Sequence, residues 1–311
     1  GDPATIMGPL ISPPSGPLLR ALTTLDRGES WLVEPRERPG RRGRPADDEA
    51  ASRRWTPGVR VGVRDGSWFH LTECFGPVLG VMRAKDLDHA IKLQNATPYG
   101  LTGGIHSLDD REVQRWLERV EVGNAYVNRH ITGAVVQRQP FGGWKRSSIG
   151  GGPKAGGPSY VSAFRRPIAG DIDVAAATSS YEAAWIESFA TGYDATGLRA
   201  ESNRLRHLPL DGVAVLVGPD TPDGALDAAK AAAATVGVNL TVFDRDDIAA
   251  DKLLKRLRKL GVQRLRVLTA FDDDLDGIVR AAHRLDIAVD QLPISTDGRT
   301  ELPHWVKEQA I

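Results

Sequence analysis

The clearest pattern along the chain lies beyond Gly212, where short apolar runs alternate with amphipathic repeats. Apolar runs bounded by glycine, proline or polar residues predict buried strands, and apolar positions at three- and four-residue spacing predict helices. Strict alternation of the two is typical of a doubly wound, parallel α/β domain. The predicted strands are Val213–Val217, Leu240–Phe243 and Leu265–Leu268, and the predicted helices are Ala225–Val236, Ile248–Leu260 and Leu275–Leu285.

A second set of elements precedes this domain and begins near Pro77. Before that residue the chain is loop-rich and contains several proline and glycine breakers. The run Val78–Met82 carries no polar side chain, which predicts a buried strand. The other predicted strands are Leu101–His106 and Asn124–Asn128, and the predicted helices are Asp86–Asn95 and Arg111–Val120.

The stretch Arg129–Phe164 has little periodicity and many glycines and prolines. A long stretch of this kind inside a domain is usually functional or disordered. The interleaved aromatic residues Phe141, Trp144 and Tyr160 argue against disorder. We therefore predict an ordered loop that brings backbone close to a ligand or a partner subunit.

Composition and charge exclude several classes of protein. The chain has 311 residues, and its 40 Lys and Arg balance its 40 Asp and Glu, so no global field recruits nucleic acid or an anionic membrane. With 41% hydrophobic and 26% charged residues, the chain is globular rather than disordered. The five arginines in residues 36–45 could grip phosphates, but the acidic residues after them favour a solvated surface loop.

Cysteine, histidine and hydropathy narrow the class further. The single cysteine, Cys74, excludes an internal disulfide and a cysteine-cluster metal site, and it fits a reducing compartment. The seven histidines are scattered, without the spacing of a metal site. No apolar run approaches the roughly 20 residues that a membrane helix needs. We expect a cytoplasmic protein with no metal and no membrane span, and the start at Gly1 without an initiator Met suggests a piece of a longer chain.

A candidate binding turn lies at Glu73–Pro77, where a carboxylate and an aromatic ring precede Gly-Pro and a predicted strand. A fixed carboxylate could hold a ribose diol through two hydrogen bonds while the ring packs on a flat heterocycle. The same five residues also suit a simple turn at a strand edge. Spacing alone leaves both interpretations open.

Four further sequence blocks change this balance. In their order along the chain, they resemble the latter half of the catalytic region of aldehyde dehydrogenases. Three other segments resemble, more specifically, L-glutamate γ-semialdehyde (1-pyrroline-5-carboxylate) dehydrogenase. The four blocks are Gly1–Ile11, Asn95–Ile105, Gly123–Arg129 and Gln139–Gly143, and the three segments are Trp68–Glu73, Thr132–Val136 and Gly152–Pro158.

The resemblance implies an α/β fold in two parts. Residues 1–165 would be the latter part of an aldehyde dehydrogenase catalytic domain. Residues 166–207 would be a connector, with one helical segment around Tyr181–Ala190. Residues 208–311 would be a Rossmann-like doubly wound parallel α/β domain without catalytic residues, which packs against the dehydrogenase domain or mediates assembly.

The tail of the chain also carries a resemblance, through Leu198–Asn203 and Asp297–Leu302. These segments resemble the tail of long bifunctional enzymes that join proline dehydrogenase to the aldehyde dehydrogenase activity. FAD is therefore expected only if a proline dehydrogenase domain lies upstream. The parent enzyme is expected to be a homo-oligomer that acts on L-glutamate γ-semialdehyde and binds no nucleic acid.

Family roles transfer to the residues that match. The resemblance implies that Glu73 holds the nicotinamide-side ribose of NAD and that Phe75 packs near the nicotinamide. It implies that Gly133 and Ala134 grip the α-carboxylate of the substrate through backbone N–H groups and that Phe141 walls the aldehyde pocket. Backbone amides suit a carboxylate, which accepts several charge-assisted hydrogen bonds.

One departure from the family concerns the catalytic groups. Aldehyde oxidation needs a cysteine thiolate, which forms a thiohemiacetal and then a thioester that water hydrolyses. The family's nucleophile, general base and cofactor domain lie before the block that starts at Gly1. Cys74 is a poor substitute because the adjacent Glu73 opposes thiolate formation, so we interpret it as a small buried hydrophobic residue. We expect no catalytic residue in this chain and no activity of the chain alone.

Two glycine-rich segments invite nucleotide hypotheses. The strand Val213–Val217 runs into Gly218–Gly224, which lacks the Gly-x-Gly-x-x-Gly fingerprint and places acidic residues where amides should cradle pyrophosphate. Lys154 lies among glycines but without the Gly-Lys-Ser/Thr order of a phosphate-binding loop.

The alternative to an enzyme fragment is a non-catalytic interaction or oligomerisation fragment on a degenerate aldehyde dehydrogenase scaffold.

Overall fold

The computed structural model of the protein describes residues 8–37, 53–132, 135, 138–148, 152–164, 170–270 and 273–311, the last range without the side chains of 273–275. Contacts between residues divide the chain into two compact units, Gly1–Pro98 and Tyr99–Ile311. Each unit is described by itself.

The first unit is built on a three-stranded sheet in the order β1-β2-β3. β1 and β2 are antiparallel, whereas β2 and β3 are parallel. Regular structure begins at Gly16, so the expectation that it begins near Pro77 is wrong. The first helix was missed because only Ala21 and Leu22 are buried in it, which is too little for a periodic pattern. The elements are α1 (Gly16–Thr23), β1 (Ser30–Val33), β2 (Gly58–Val61), α2 (Trp68–Leu71), β3 (Val78–Val81) and α3 (Leu87–Asn95).

A buried ion pair lies in the interior of the first unit. Arg60, on the central strand β2, contacts the carboxylate of Glu29 at 2.9 Å, and neither side chain is more than 1% exposed. The guanidinium also donates to the carbonyl oxygens of Ala21 in α1 and of Thr24 directly after it, and it lies over the ring of Phe69. Strand β3 is not buried as predicted, because Leu79 is 61% exposed and Val81 is also exposed. Only alternate positions of this strand face the interior.

The second unit contains two larger sheets and a two-stranded pair of β4 with β7. One large sheet has the order β11-β10-β12-β13 and the other has the order β5-β6-β14-β9-β8. The strands are β4 (Tyr99–Gly100), β5 (Thr102–Ile105), β6 (Asn124–Val127), β7 (Trp144–Lys145), β8 (Tyr193–Asp194), β9 (Arg204–Pro209), β10 (Val213–Val217), β11 (Leu240–Asp244), β12 (Arg264–Val267), β13 (Ala288–Asp290) and β14 (Val306–Ala310). The helices are α4 (Asp110–Arg119), α5 (Val174–Ala184), α6 (Ala225–Val236), α7 (Ala250–Lys259), α8 (Asp273–Arg284) and α9 (Gly298–Glu301).

The four-stranded sheet is parallel throughout, which confirms the predicted alternation of strands and helices beyond Gly212. Its central strand β10 has four fully buried residues in a row, as expected for a strand covered on both faces. Helix α6 is rich in alanine and buries a stripe of small residues against α5. Strand order reverses between β10 and β12, which makes that point the topological switch point of the sheet.

The five-stranded sheet joins distant parts of the chain. β14 lies between β6 and β9, parallel to the first and antiparallel to the second. The amide of Gln309 donates to the Val122 carbonyl at 2.9 Å, beside the start of β6. Strand β14 therefore joins β5 and β6, which lie in family-like blocks, to β9 and β8 of the tail.

The connector was predicted too simply. Its helix α5 begins at Val174, ahead of the predicted Tyr181, and a π-helical turn at Trp185–Phe189 continues it. β8 and β9 then lie inside residues predicted to have no strand. The inward positions of β9 are Leu205 and His207, and this polar residue at a buried position conceals the alternation of a strand.

Candidate functional site

The Glu73–Pro77 turn presents two exposed side chains at the entrance to β3. The short helix α2 precedes the turn, and Ser67 caps that helix by accepting from the His70 N–H at 3.4 Å. Glu73 is exposed, and Phe75 is 80% exposed. Phe75 also has a φ of 44°, in the left-handed region that bulky residues rarely adopt. The turn therefore combines an exposed ring in a strained backbone conformation with an exposed carboxylate, and such strain is more frequent at functional sites.

Cys74 lies between these two residues and is less exposed than either. Its thiol is half-buried, whereas a buried residue was predicted, and Sγ lies 3.5 Å from the Thr72 carbonyl oxygen. Burial raises the pKa of the thiol, Glu73 adds to this rise, and Arg60 and Arg20 oppose it. The sequence predicts that Glu73 opposes thiolate formation, whereas burial is the larger cause of the raised pKa. A thiol with a raised pKa is a poor nucleophile at neutral pH.

Gly133 and Ala134 lie outside the described residues. Two arginines on either side of them contact the same carboxylate. Arg129 and Arg138 both reach the carboxylate of Glu201, at 3.4 Å and 3.0 Å. Glu201 belongs to the segment Leu198–Asn203, so one carboxylate connects the two ends of the proposed substrate-binding stretch.

Phe141 is half-buried in a well-bonded loop. Its N–H donates to the Ala155 carbonyl at 2.9 Å, and the Ala155 N–H donates back at 3.1 Å. Asn124, the first residue of β6, donates to the Pro140 carbonyl at 3.1 Å and accepts from the Gly142 N–H at 3.2 Å. The backbone on both sides of Phe141 is therefore tied to a strand, which agrees with the prediction of an ordered loop.

Residues 1–167 match the sequence profile of the aldehyde dehydrogenase family. This match covers more than half of the chain. The chain belongs to the aldehyde dehydrogenase family. Both the Glu73–Pro77 turn and the Phe141 loop lie inside the matched range.

Named relatives agree with this assignment. Over 160 residues the chain is 34% identical to 1-pyrroline-5-carboxylate dehydrogenase of Bacillus subtilis (strain 168), which is 51% of this chain and 29% of that protein. Over 91 residues it is 52% identical to the bifunctional protein PutA of Rhizobium meliloti, which is 29% of this chain and 7% of that protein. The aldehyde dehydrogenase chain therefore matches less than a third of the length of either relative.

A solved structure extends the similarity to the tail. Proline utilization A (PutA) from Corynebacterium freiburgense matches 98% of this chain and 31% of its own, with 42% identity and a TM-score of 0.81. The similarity thus includes the four-stranded parallel sheet as well as the family-matched residues. The fold of this aldehyde dehydrogenase chain is α/β with parallel sheets.

Sequence reasoning missed a buried polar cluster behind the Phe141 loop. It consists of Asn124, Lys154, His207 and Glu308, all nearly or fully buried. Lys154 was considered only as a phosphate-loop residue, and Glu308 lies in a strand that was not predicted. A lysine among glycines resembles a surface residue in a sequence, so no signal along the chain identifies this cluster.

At the switch point of the parallel sheet, the polar groups that line the crevice bond to one another. Asp220 accepts from the Thr269 hydroxyl and from the Ala270 N–H, at 2.5 Å for the latter. The hydrogen bond from Thr269, followed by that from Ala270, holds the pKa of Asp220 below its usual range. Thr221 Oγ1 accepts from the Gly218 N–H at 2.8 Å. Amides that would cradle a pyrophosphate are thus bonded to the domain itself.

Within the described part of the chain, no three His, Cys, Asp or Glu side chains come together as a metal site. None of the helices in the described ranges combines the length and the apolar character that a membrane span requires.

Proposed function

We propose that this chain is the latter part of an NAD-dependent L-glutamate γ-semialdehyde dehydrogenase. The parent would convert the semialdehyde, formed by hydrolysis of 1-pyrroline-5-carboxylate, with NAD⁺ and water into L-glutamate and NADH. The observation that carries this proposal is the whole-chain similarity to PutA, at 42% identity over 98% of the chain. The relative from Bacillus subtilis, named for the same substrate, supports it over the first half of the chain.

The turn at Glu73 fits the cofactor side of this reaction. Its carboxylate is exposed and can accept both hydroxyls of a ribose, and the exposed ring of Phe75 offers a flat apolar face. Bound NAD supplies the hydride acceptor of the oxidation. In this proposal Glu73 holds the ribose on the nicotinamide side and Phe75 packs near the nicotinamide.

The substrate side of the proposal rests on the loop residues. Gly133 and Ala134 would donate their N–H groups to the α-carboxylate, and Phe141 would form a wall of the aldehyde pocket. The two hydrogen bonds between Phe141 and Ala155 support a rigid position for that wall. Rigid placement matters because catalysis depends on the distance between reacting atoms.

The nucleophile is proposed to come from a part of the parent outside these 311 residues. Cys74 is the only cysteine of the chain, and burial raises the pKa of its thiol. A protonated, half-buried thiol does not attack an aldehyde efficiently. This chain then contributes binding groups and no catalytic group.

The organisation of the parent follows the same proposal. Residues 1–165 would be catalytic-domain sequence, 166–207 a connector and 208–311 a Rossmann-like domain without chemistry of its own. The parent would be a cytoplasmic homo-oligomer, and it would hold FAD only if a proline dehydrogenase domain is also present.

The cofactor role of Glu73 provides the experiment that tests this proposal. In the full-length protein, Glu73→Ala should raise the KM for NAD about 10- to 100-fold, since hydrogen bonds to a charged group contribute about 1.5–3 kcal/mol. The KM for the semialdehyde should stay near that of the unchanged protein. Glu34→Ala removes another exposed carboxylate of the first unit and serves as the control. Unchanged NAD kinetics in the Glu73 variant would make this segment a structural turn only.

A further inference from the structure

Lys154 carries a buried ammonium group directly behind the Phe141 loop. The residue is 4% exposed. Its Nζ donates to the Gly142 carbonyl oxygen and lies 3.4 Å from Asn124 Oδ1. Both partners are neutral acceptors, so the charge is fixed by directional hydrogen bonds rather than by a contacting carboxylate.

The partners of Lys154 are the groups that flank Phe141. Gly142 follows Phe141 directly, and Asn124 binds the backbone of both Pro140 and Gly142. The backbone of Ala155, the residue after Lys154, pairs with that of Phe141. Lys154 therefore acts on the Phe141 backbone from two directions, through its ammonium and through the chain that follows it.

Close packing leaves this arrangement little freedom. A Cβ atom at Gly123 would lie 2.1 Å from the Gly142 oxygen and 2.6 Å from the Lys154 ammonium, which no structure tolerates. Glycine at position 123 thus permits the approach of the lysine and the carbonyl. Loss of the ammonium would leave the Gly142 carbonyl without this donor inside a confined space.

The cost of the buried charge is visible in its titration. Burial lowers the pKa of Lys154 to about 8, against the opposing effect of Glu308. Glu308 Oε2 accepts from the backbone N–H of Lys154 at 2.6 Å. The other oxygen of this carboxylate, Oε1, lies 3.6 Å from Nε2 of His207. Burial, with a smaller effect from the charge of Glu308, raises the pKa of the Tyr193 phenol. An apolar side chain would fill the space without the desolvation cost of a buried charge. The lysine therefore supplies a hydrogen-bond donor that an apolar residue does not.

We propose that Lys154 is a positioning residue of the aldehyde pocket, which fixes the Gly142 carbonyl and so holds the Phe141 ring in place. The inference rests on the proposed function, because that function gives Phe141 its role. Lys154 touches neither substrate nor cofactor in this account. It acts on binding of the aldehyde through the backbone on either side of Phe141.

The main test compares Lys154→Met with Lys230→Met in the full-length protein. Methionine keeps the length of the side chain and removes the donor. The KM for glutamate semialdehyde should rise about 10-fold, the effect of one lost hydrogen bond to a charged group. The KM for NAD should stay unchanged, and amide hydrogen exchange should accelerate in residues 139–148. Lys230 is an exposed lysine of α6, paired with Asp227, and its variant should match the unchanged protein.

The pH profile of the unchanged protein provides a second test. With the semialdehyde concentration corrected for cyclisation at each pH, its KM should rise through about pH 8, where Lys154 loses its charge and becomes a weaker, neutral donor to the Gly142 carbonyl. The Lys154→Met profile should be flat over this range, which assigns the rise to Lys154 rather than to His207, Glu308 or Tyr193. A flat profile in the unchanged protein overturns the inference, even where the methionine variant does not fold.

The outcomes separate the two proposals. An unchanged protein that forms no NADH from the semialdehyde contradicts the proposed function itself. An active protein whose Lys154→Met variant keeps the original KM and the original exchange rates contradicts only the positioning role. A fall in kcat together with equal rises in the KM values for NAD and for the semialdehyde would indicate general disruption. That result would also overturn the positioning role.

Discussion

Phe75 combines two properties that packing does not explain, an exposed ring and a left-handed backbone. A left-handed conformation costs a bulky residue about 1–2 kcal/mol, and such strain is concentrated at functional sites. The ring is 80% exposed, so it gains little from burial. Its value in the proposed function is the flat apolar surface that it presents beside Glu73.

Replacement of Phe75 by glycine tests this explanation. Phe75→Gly should change the free energy of unfolding by less than about 1 kcal/mol, because relief of the left-handed strain offsets the added flexibility of the unfolded chain. The KM for NAD should nevertheless rise. Urea unfolding and NADH formation by the full-length protein measure the two effects. A clear loss of stability with unchanged NAD kinetics would mean that the ring serves packing.

The titration of Lys154 predicts a dependence of stability on pH. Its pKa is about 8 in the folded protein, against 10.5 for an ordinary exposed lysine. Between these values the unfolded chain binds more protons, so the free energy of unfolding should rise with pH relative to Lys154→Met. The full rise should be on the order of 3 kcal/mol. Urea unfolding of both proteins at several pH values from 7 to about 10.5 measures it, and a difference that does not vary with pH would contradict it.

At the scale of elements, a buried ion pair anchors α9 to the parallel sheet. Glu301 accepts from Arg266 of β12, from the Trp305 indole at 2.8 Å and from the Ser295 N–H at 2.9 Å. Both charged side chains are fully buried. Asp290 lies 3.6 Å from the same guanidinium, so loss of the Glu301 charge would leave the buried Arg266 only partly compensated.

Glu301→Gln should therefore destabilise the protein strongly. The expected loss is about 3 kcal/mol of unfolding free energy, since Arg266 then keeps Asp290 but loses the carboxylate that it contacts more closely. Glu187→Gln is the matched control, because Glu187 pairs with Arg299 at 3.2 Å on the exposed surface. The control should cost about 0–1 kcal/mol. Urea unfolding that gave equal losses for the two variants would refute the importance of the buried pair.

The elements also show how far a sequence can be interpreted. Strand β10 was predictable because all its side chains are apolar and four of its five residues are fully buried. β9 and β14 were not, because their buried positions include His207, Glu308 and Gln309. A polar residue at an inward position is stabilised by partners that lie far away in sequence, and no local pattern contains those partners. The same holds for Lys154, whose place in the candidate site depends on Asn124 and Gly142.

The candidate site residues that the resemblance names lie in short family blocks. Glu73, Phe75 and Phe141 were assigned through the resemblance, and the structure adds exposure, strain and hydrogen bonding to them. Cys74 was correctly placed beside Glu73, but its burial was overestimated. Physical reasoning from spacing alone had left the Glu73–Pro77 turn with two interpretations.

At the scale of the whole molecule, the chain belongs to the aldehyde dehydrogenase family and matches a third or less of the length of its relatives. The last strand, β14, pairs with β6 and thus joins the tail to family-matched sequence.

The chain alone, residues 1–311, should form no NADH from glutamate semialdehyde, because its only cysteine has a raised pKa. Turnover that Cys74→Ser abolishes would contradict this expectation.

The reaction proposed for the parent protein is the oxidation of a carboxylated semialdehyde by NAD. The most direct measurement is the ratio of kcat/KM for glutamate semialdehyde to that for butanal, in the full-length protein and in its Gly133→Val variant. The account predicts a large preference for the semialdehyde, since unpaired buried donors cost several kcal/mol when the carboxylate is missing, and a reduced preference in the variant. A full-length protein that does not prefer the semialdehyde, or a ratio that Gly133→Val leaves unchanged, would contradict it.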